Sequence, residues 1–408
     1  MQSPDDILNS GSLPNPLTDA QLIHDCALPD SLIYLSLGET WTPPPDGLTA
    51  ALQRLPAHTH GYTLSPYGLP ALRQILKSYI TRTHQLPADG AYDVAVSQAG
   101  TRTAMANFAE YLLSRHNGPQ SVLVPDPGWD YSGIFAPMGF TVHRYPMLAE
   151  QDWQPVPEQL TPLMTPHSLL VLNPQHNPTG VEWSPQTVTR LIQAALERQC
   201  AILIDDAYYA LHTPGQSPTN ALRTLIEQAG SSAVPPWLAV RTLGKQFRCN
   251  GWGIGALSAA PETLAALAHI AHQRTYGTAL PLQAAMATWL QQPAADHYLD
   301  RLRQHYAANR ELVAQRLAGL LGFPQSAIHA GTCTSYMRFQ VPPRLVRHGD
   351  EEYFRRLCLS AGVLPGRGSM IEGNAPDAPA YVRLHLGHTS EELERALQRL
   401  RRAELGWE

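Results

Sequence analysis

Short apolar runs bounded by turn residues alternate with stretches of helical period along the first part of the chain. Residues 94–97 read as a strand, and 101–115 as the helix that follows it. Residues 121–124 and 140–145 read as further strands. A strand at 169–172 leads into a helix over 184–199, and strands return at 201–204 and 238–242. Short apolar strands with crossover helices predict a mostly parallel sheet covered on both faces. Ligands collect beyond the carboxyl ends of such strands, so the segments just after each run are where chemistry is expected.

After Pro293 the pattern changes. Residues 296–321 form one long amphipathic stretch, followed by a strand-like run at 335–340 and a helical one at 351–361. A strand at 381–386 and a helix over 390–402 complete it. That alternation predicts an α+β unit with a domain boundary near residue 295. Residues 1–30 are polar and turn-rich and read as a mobile arm, and Pro43-Pro44-Pro45 marks an extended linker. The resulting division is 1–45 as arm and part of the smaller domain, 46–295 as the large domain, and 296–408 as the smaller one. There is no internal repeat and no low-complexity tract.

Composition narrows the function. Hydrophobic residues make up 44% and charged residues 15%, which suits an ordinary globular protein with a sizeable core. A net charge of −5 argues against a nucleic-acid or membrane-surface partner. Arg395, Arg399, Arg401 and Arg402 fall at helical spacing and read as a solvated face. No apolar run is long enough for a membrane span, and the first residues lack the basic and apolar pattern of a signal peptide. The five cysteines are far apart, with no zinc or Cys-x-x-Cys spacing, so buried thiols in a reducing cytoplasm are expected. The histidine pairs His58/His60, His269/His272 and His385/His388 lack a carboxylate or cysteine close in sequence, so no metal is expected.

Lysine is scarce: the chain has 29 basic residues, and only Lys77 and Lys245 are lysines. Lys77 lies on the polar side of an amphipathic helix and needs no function. Lys245 stands in Thr242-Leu243-Gly244-Lys245, just before Gly251-Trp252-Gly253-Ile254-Gly255. Lysine forms imines with carbonyls and its pKa falls readily on burial, whereas arginine stays protonated. A lone lysine beside a glycine-rich backbone therefore suggests an amine used for chemistry.

Three other segments sit at strand ends. Ser97-Gln98-Ala99-Gly100-Thr101-Arg102 joins a strand to a helix, where free N–H groups and the helix dipole favour a phosphate. Alone, that signal is weak. Asn173-Pro174-Gln175-His176-Asn177-Pro178-Thr179-Gly180 offers an amide at a fixed turn. Asp205-Asp206-Ala207-Tyr208 places an acid at a strand end, where it can face a heteroaromatic ring. Gly251-x-Gly253-x-x-Ala256 mimics a dinucleotide fingerprint, but no Asp or Glu occurs from residue 263 to 295, so that reading fails.

Asn-Pro-Thr-Gly, then Asp-x-x-Tyr, then Ser/Thr-x-x-Lys, in this order, resembles the fold-type I pyridoxal-phosphate (PLP) enzymes, specifically the class I/II aminotransferase family. The resemblance spans roughly residues 35–400. It implies an α/β, aspartate-aminotransferase-like fold: a large domain with a mostly parallel central sheet, plus a smaller α+β domain. It implies PLP as cofactor, with Lys245 as the Schiff-base lysine and the base at the substrate Cα. Asp205 matches the acid that keeps the pyridine nitrogen protonated, and Tyr208 and Asn177 match the pair on the ring 3-oxygen. Trp129, in Pro127-Gly128-Trp129, matches the stacking aromatic. Gly100, Thr101, Arg102 and Thr242 match the phosphate site. Arg383 matches the arginine that grips the substrate α-carboxylate, with Gly38 beside the substrate. Tyr62 matches a tyrosine that reaches the neighbouring subunit's phosphate, with Tyr67 as competitor, which implies a homodimer.

The chain also departs from the family. Gly-x-Arg-x-Gly usually follows the lysine, and here Gly253 stands in place of the arginine. An unpaired phosphate dianion is costly, so Arg102 or Arg248 is expected to substitute, and room is expected near the phosphate. Arg274 lies near where dicarboxylate-specific members place a partner-subunit arginine, and Arg367 lies in a loop that lines the family's substrate pocket. Transamination between an amino acid and a 2-oxo acid is the expected activity. The rival is a non-transaminating PLP lyase, decarboxylase or synthase of specialised metabolism. A DNA-binding regulator with an aminotransferase-like body is disfavoured, because residues 1–40 contain no Lys or Arg.

Overall fold

The computed structural model describes residues 19, 22, 32–38, 43–62, 65–87, 90–97, 99–115, 120–229, 234–275, 277, 279–348, 350–369 and 379–408. Of the expected N-terminal arm, all but Asp19 and Leu22 lies outside the described residues. The chain divides into two compact units. The smaller comprises Met1–Thr42, Ala308–Ala330 and Ser335–Glu408, and the larger comprises Pro43–Ala307 and Gly331–Thr334.

Ile33–Leu35 is β1, in the smaller unit. The larger unit holds Asp93–Ser97 (β2), Ser121–Asp126 (β3), Thr141–Pro146 (β4), Ser168–Leu172 (β5), Ala201–Asp205 (β6), Trp237–Thr242 (β7) and Gly255–Ala259 (β8). They form one sheet in the order β2-β8-β7-β6-β5-β3-β4. Every pairing among β3 to β7 is parallel, and only β8 runs the other way, between β7 and β2. β5 and β6 are buried at every position, as expected for a sheet covered on both sides.

Crossover helices supply the cover. Pro185–Glu197 begins with the Ser184 hydroxyl accepting from the Thr187 N–H at 3.0 Å and with proline in the first turn. Its buried face is Val188, Leu191, Ile192 and Ala195, the spacing that places side chains on one helical stripe. Burying each of the larger three side chains stabilises by about 1.5–3 kcal/mol. The sequence pattern did not reveal β8. Its backbone runs so close to β7 that a Cβ on Gly255 would lie 2.5 Å from the Arg241 carbonyl oxygen. Glycine allows that approach and also erases the apolar alternation that signals a strand.

In the smaller unit Ile328–His329 (β9), Tyr336–Gln340 (β10), Val363–Arg367 (β11) and Tyr381–His385 (β12) join β1 in the order β1-β11-β12-β10-β9. One face carries Met337, Phe339, Val382 and Leu384, all fully buried. The helix Glu352–Ser360 adds Phe354, Cys358 and Leu359 to the core. Leu393, Ala396, Leu397 and Leu400 form the buried stripe of the helix Ser390–Arg402. That helix starts with a Thr389/Glu392 capping box and ends with Arg399, Arg401 and Arg402. The C-terminal arginine cluster thus complements the helix dipole.

A buried ion pair and a hydrogen bond hold Asp19 in this unit. Arg355, fully buried, meets the Asp19 carboxylate at 2.5 Å, and Tyr34 donates its hydroxyl to the other oxygen at 2.5 Å. Removing one partner leaves the other charge buried, so Arg355→Ala should destabilise by roughly 3–5 kcal/mol. Urea unfolding of the full chain would measure this, and a change below ~1 kcal/mol would contradict the assignment.

Candidate active site

Parallel strands bring their carboxyl ends to one edge of the sheet. Ser97 of β2 and Thr242 of β7 both pair with Gly255, so the phosphate-like turn and the lysine turn start at one level. The helix Gly100–Arg115 follows β2 directly. The short helix Gly244–Phe247 follows β7 and carries Lys245. Asp205 ends β6, and the Asn173–Gly180 segment follows β5. Trp129 comes shortly after β3. All these expected residues belong to the larger unit.

Asp205 is the electrostatic centre. Only 6% of it is exposed. Tyr131 donates its hydroxyl to one carboxylate oxygen at 2.6 Å, and the Ala207 N–H donates to the other at 3.2 Å. Burial pushes the Asp205 carboxyl up, while the charge of Lys245 and the bond from Tyr131 pull it back down. Tyr131 is itself fully buried, and its phenol is held well above its ordinary range by burial and by Asp205. It therefore stays a donor.

Asn173 ties two of the segments together. Its amide nitrogen donates to the Asp205 carbonyl at 2.7 Å, and its oxygen accepts from the Asn177 N–H at 2.9 Å. Asn177 is thereby placed relative to Asp205 by one buried side chain. Lys245 is half-buried, and its Nζ lies 4.1 Å from the centre of the Tyr208 ring. Tyr208 is 2% exposed, so the amine rests on a fixed aromatic face.

Tyr131 and Asn173 had no role in the sequence reading. Asn173 stood inside a recognised motif, but its side chain acts on the neighbouring strand. Tyr131 lies two residues beyond Trp129, and its ring meets that of Trp129 edge-on at 5.2 Å. The signal was an aromatic pair after a strand end, and nothing in the sequence said which ring faces the acid.

Gly253 takes up a left-handed conformation, φ +61°, and its carbonyl accepts from the Gly100 N–H at 2.7 Å. A Cβ at position 253 would come 3.2 Å from that nitrogen. The absent arginine does not leave a gap at the Gly253 Cβ position: the backbone of Ala99 and Gly100 lies against it. An arginine there would carry the cost of a left-handed residue, about 1–2 kcal/mol, as well as the crowding.

The arginines are placed unequally. Arg102 is half exposed, pairs with Asp130 at 3.2 Å and lies over the Trp129 ring at 4.5 Å. Arg248 ends the lysine turn in a left-handed conformation. Arg274 engages Glu110, and also the Asn107 side chain at 2.9 Å, in its own unit. Tyr62 is 77% exposed. Tyr67, its competitor, lies under Arg73, with 4.2 Å from guanidinium to ring centre.

Three of the expected substrate residues belong to the smaller unit. Arg383, 2% exposed, lies 4.3 Å from the centre of the Tyr336 ring. The Tyr336 hydroxyl accepts from the Gly38 N–H at 2.8 Å, so one tyrosine links Gly38 to Arg383. A Cβ on Gly38 would fall 2.4 Å from the His385 ring, which explains the glycine sterically. Arg367 ends β11 and stands 3.9 Å from Glu351 and 4.0 Å from Glu352. No group that would hold a metal and no helix long and apolar enough to cross a membrane occurs among the described residues.

Known proteins resemble the chain over nearly its whole length. The aspartate/prephenate aminotransferase of Thermus thermophilus is 26% identical over 380 residues, covering 91% of this chain and 90% of that protein. The arginine–pyruvate transaminase of Pseudomonas aeruginosa is 25% identical over 379 residues, with 91% and 89% covered. In three dimensions, the Thermus thermophilus aspartate aminotransferase with maleate superposes with a TM-score of 0.79 at 23% identity, covering 99% of this chain and all of that one. Substrate-bound BacF of Bacillus subtilis superposes with a TM-score of 0.81 at 19% identity, covering 100% and 99%. These superpositions establish the fold. The family profile for aminotransferase class I and II matches residues 31–400, and the chain belongs to that family.

Proposed function

We propose that this aminotransferase moves an amino group between an amino acid and a 2-oxo acid with PLP as cofactor. The Asp205 site carries the reading: a buried carboxylate with hydroxyl and amide donors, facing a single lysine amine. The residues fit the cofactor. A buried acid of this kind is best satisfied by a cationic ring nitrogen, and Tyr208 gives the amine a fixed resting surface. At the other end, Gly100 has open space where a Cβ would point, and the Ser97 hydroxyl is buried without a partner among the described residues. The first-turn amides of Thr101 and Arg102 suit a phosphate there.

When bound, PLP supplies an electron sink for the negative charge that develops at the substrate Cα. Lys245 would hold the cofactor and then, with Nζ free, move a proton at Cα. Asp205 would hold a proton on the ring nitrogen, with Tyr131 fixing the carboxylate's orientation. Tyr208 and Asn177 would hold the ring oxygen, Trp129 would cover the ring, and Thr242 would add a phosphate hydroxyl. Arg102 and Arg248 are the arginines offered in place of the one missing at Gly253. Arg102 would have to share its guanidinium with Asp130.

Arg383 would bind the α-carboxylate through two parallel charged hydrogen bonds, with Gly38 beside it. Arg274 and Arg367 are offered for a second anionic group, in competition with Glu110 for the first and with Glu351 and Glu352 for the second. The working unit is proposed to be a homodimer, because Tyr62 is exposed and matches the family's tyrosine that reaches the neighbouring subunit's phosphate, with Tyr67, beside Arg73, as its competitor. A reducing cytoplasm fits the buried cysteines Cys200, Cys249, Cys333 and Cys358, none of which forms a disulfide.

The test is incubation of the purified protein and PLP with a panel of amino acids and 2-oxo acids. The expected result is stoichiometric exchange of new amino and oxo acid. Release of carbon dioxide, or of an elimination product without exchange, would instead support the non-transaminating rival.

A further inference from the structure

Behind the site lies a buried charge that the reaction does not use. Arg241, the penultimate residue of β7, is 3% exposed. Its guanidinium donates to the Thr83 hydroxyl at 2.6 Å, to the Gln246 side-chain oxygen at 3.3 Å and to the Tyr79 hydroxyl at 3.4 Å. It lies 4.9 Å from the Tyr79 ring centre and 5.2 Å from that of Tyr209. Gln246, fully buried, is the residue after Lys245, and its amide nitrogen donates back to the Thr242 carbonyl at 3.0 Å.

The acid next to Asp205 shares this buried neighbourhood, since His84 lies beside it and stacks on Tyr209, the ring near which the Arg241 guanidinium lies. The Asp206 N–H continues the pairing of β6 with β7 by donating to the Val240 carbonyl at 2.9 Å. Consecutive residues of an extended strand point to opposite faces, so Asp206 turns away from the site as Asp205 turns toward it. Asp206 is 1% exposed, lies 3.8 Å from His84, and interacts electrostatically with Arg241. His84 stacks on Tyr209 at 3.8 Å. Among the described residues, Asp206 Oδ1, His84 Nε2 and Arg241 Nε are buried without a hydrogen-bond partner, so this cluster is held by charge and stacking as much as by direct bonds.

We propose that Arg241 is a positioning residue: from the sheet face away from the cofactor site, it locks the Lys245 turn, through Gln246, to the Asp205 strand end, through the Tyr209–His84 stack beside Asp206. One rigid cation with several donors in a fixed fork suits this task, and a lysine would not. The proposal rests on Lys245 and Asp205 being the working pair.

The chain's scarcity of lysine makes the test clean. In the cofactor-free full-length protein, an amine-reactive acylating reagent can modify only Lys245, Lys77 and the chain's amino terminus. Lys77 is an internal control: its Nζ donates to the Tyr92 carbonyl at 2.6 Å and lies over the Tyr92 ring, contacts that Arg241 does not make, although its helix Pro70–Thr83 also carries Arg241's partners Tyr79 and Thr83. Arg241→Met should change the Lys245 labelling rate several-fold and leave that of Lys77 unchanged. In the holoenzyme, kcat should fall by about 10²-fold, the scale of a 1 Å misplacement, with KM changed less than about 3-fold. Arg241→Lys should recover only part of kcat. Thr83→Val, which removes only the outer anchor, should lower kcat in the same direction without global unfolding.

An unchanged Lys245 labelling rate in folded Arg241→Met would overturn the proposal. Equal changes at both lysines, or full recovery in Arg241→Lys, would overturn it too. The labelling arm does not depend on turnover, so it stands even if the enzyme proves not to transaminate.

Discussion

Lys245→Ala is expected to abolish turnover, with kcat at least about 10³-fold below wild type. Loss of a positioned acid–base group alone costs about 10²–10⁴-fold, and loss of the covalent link to the cofactor adds to that. No second amine can replace it. Lys77, the other lysine, is engaged with the Tyr92 carbonyl and ring and belongs to the helix Pro70–Thr83. The variant should still fold, because Lys245 is only half-buried and truncation removes its contact with the Tyr208 ring face and its electrostatic interaction with Asp205. Borohydride treatment of the wild-type holoenzyme, followed by peptide mapping, should place the label on Lys245. A label on Lys77, or residual kcat within 10-fold of wild type, would refute the assignment. Added small amines should restore part of the Lys245→Ala rate, because what is missing is a base in a site whose other groups remain in place.

How much of this was visible in the sequence follows from how each feature is encoded. The central strands announced themselves because β5 and β6 are buried on both faces, and such strands must be apolar throughout. The candidate site residues could be picked out because they sit at the ends of those strands in motifs of fixed spacing. β8 was not legible, because its close approach to β7 requires glycine at 255, which removes the pattern by which strands are recognised. Tyr131 and Arg241 were invisible for another reason. Each acts on a residue distant in the chain, Asp205 for the first and Thr83 for the second, and only the fold brings them together. Gly253 shows the opposite case: its departure from the family pattern was plain in the sequence. The reason it is tolerated, a left-handed turn whose carbonyl binds Gly100, was not.

Asp205→Asn should lower kcat by about 10²–10³-fold, the scale set by removing one preorganised charge from a buried site, while KM for the amino acid changes little. Asparagine keeps the shape, and its oxygen can still accept from Tyr131, so the loss reports the charge together with the one acceptor that faced the Ala207 N–H. The carboxylate is needed because it must stay ionised in a place that opposes ionisation. Burial raises its pKa, and Lys245, Tyr131 and the Ala207 N–H offset that rise. Tyr131→Phe removes one of those offsets without touching the carboxylate. Its expected cost is about 10-fold in kcat, the scale of a single hydrogen bond to a charged group. The sign of its pH effect also follows. Losing a donor to the ionised form moves the Asp205 pKa further up, so the acid limb of the kcat profile should shift to higher pH. Asp205→Asn should remove that ionisation from the profile altogether. Steady-state rates across pH at saturating cofactor, with cofactor affinity measured separately by titration, would show both. A Tyr131→Phe enzyme whose acid limb stays in place, or moves to lower pH, would rule out the Tyr131–Asp205 bond as the device that keeps this acid charged.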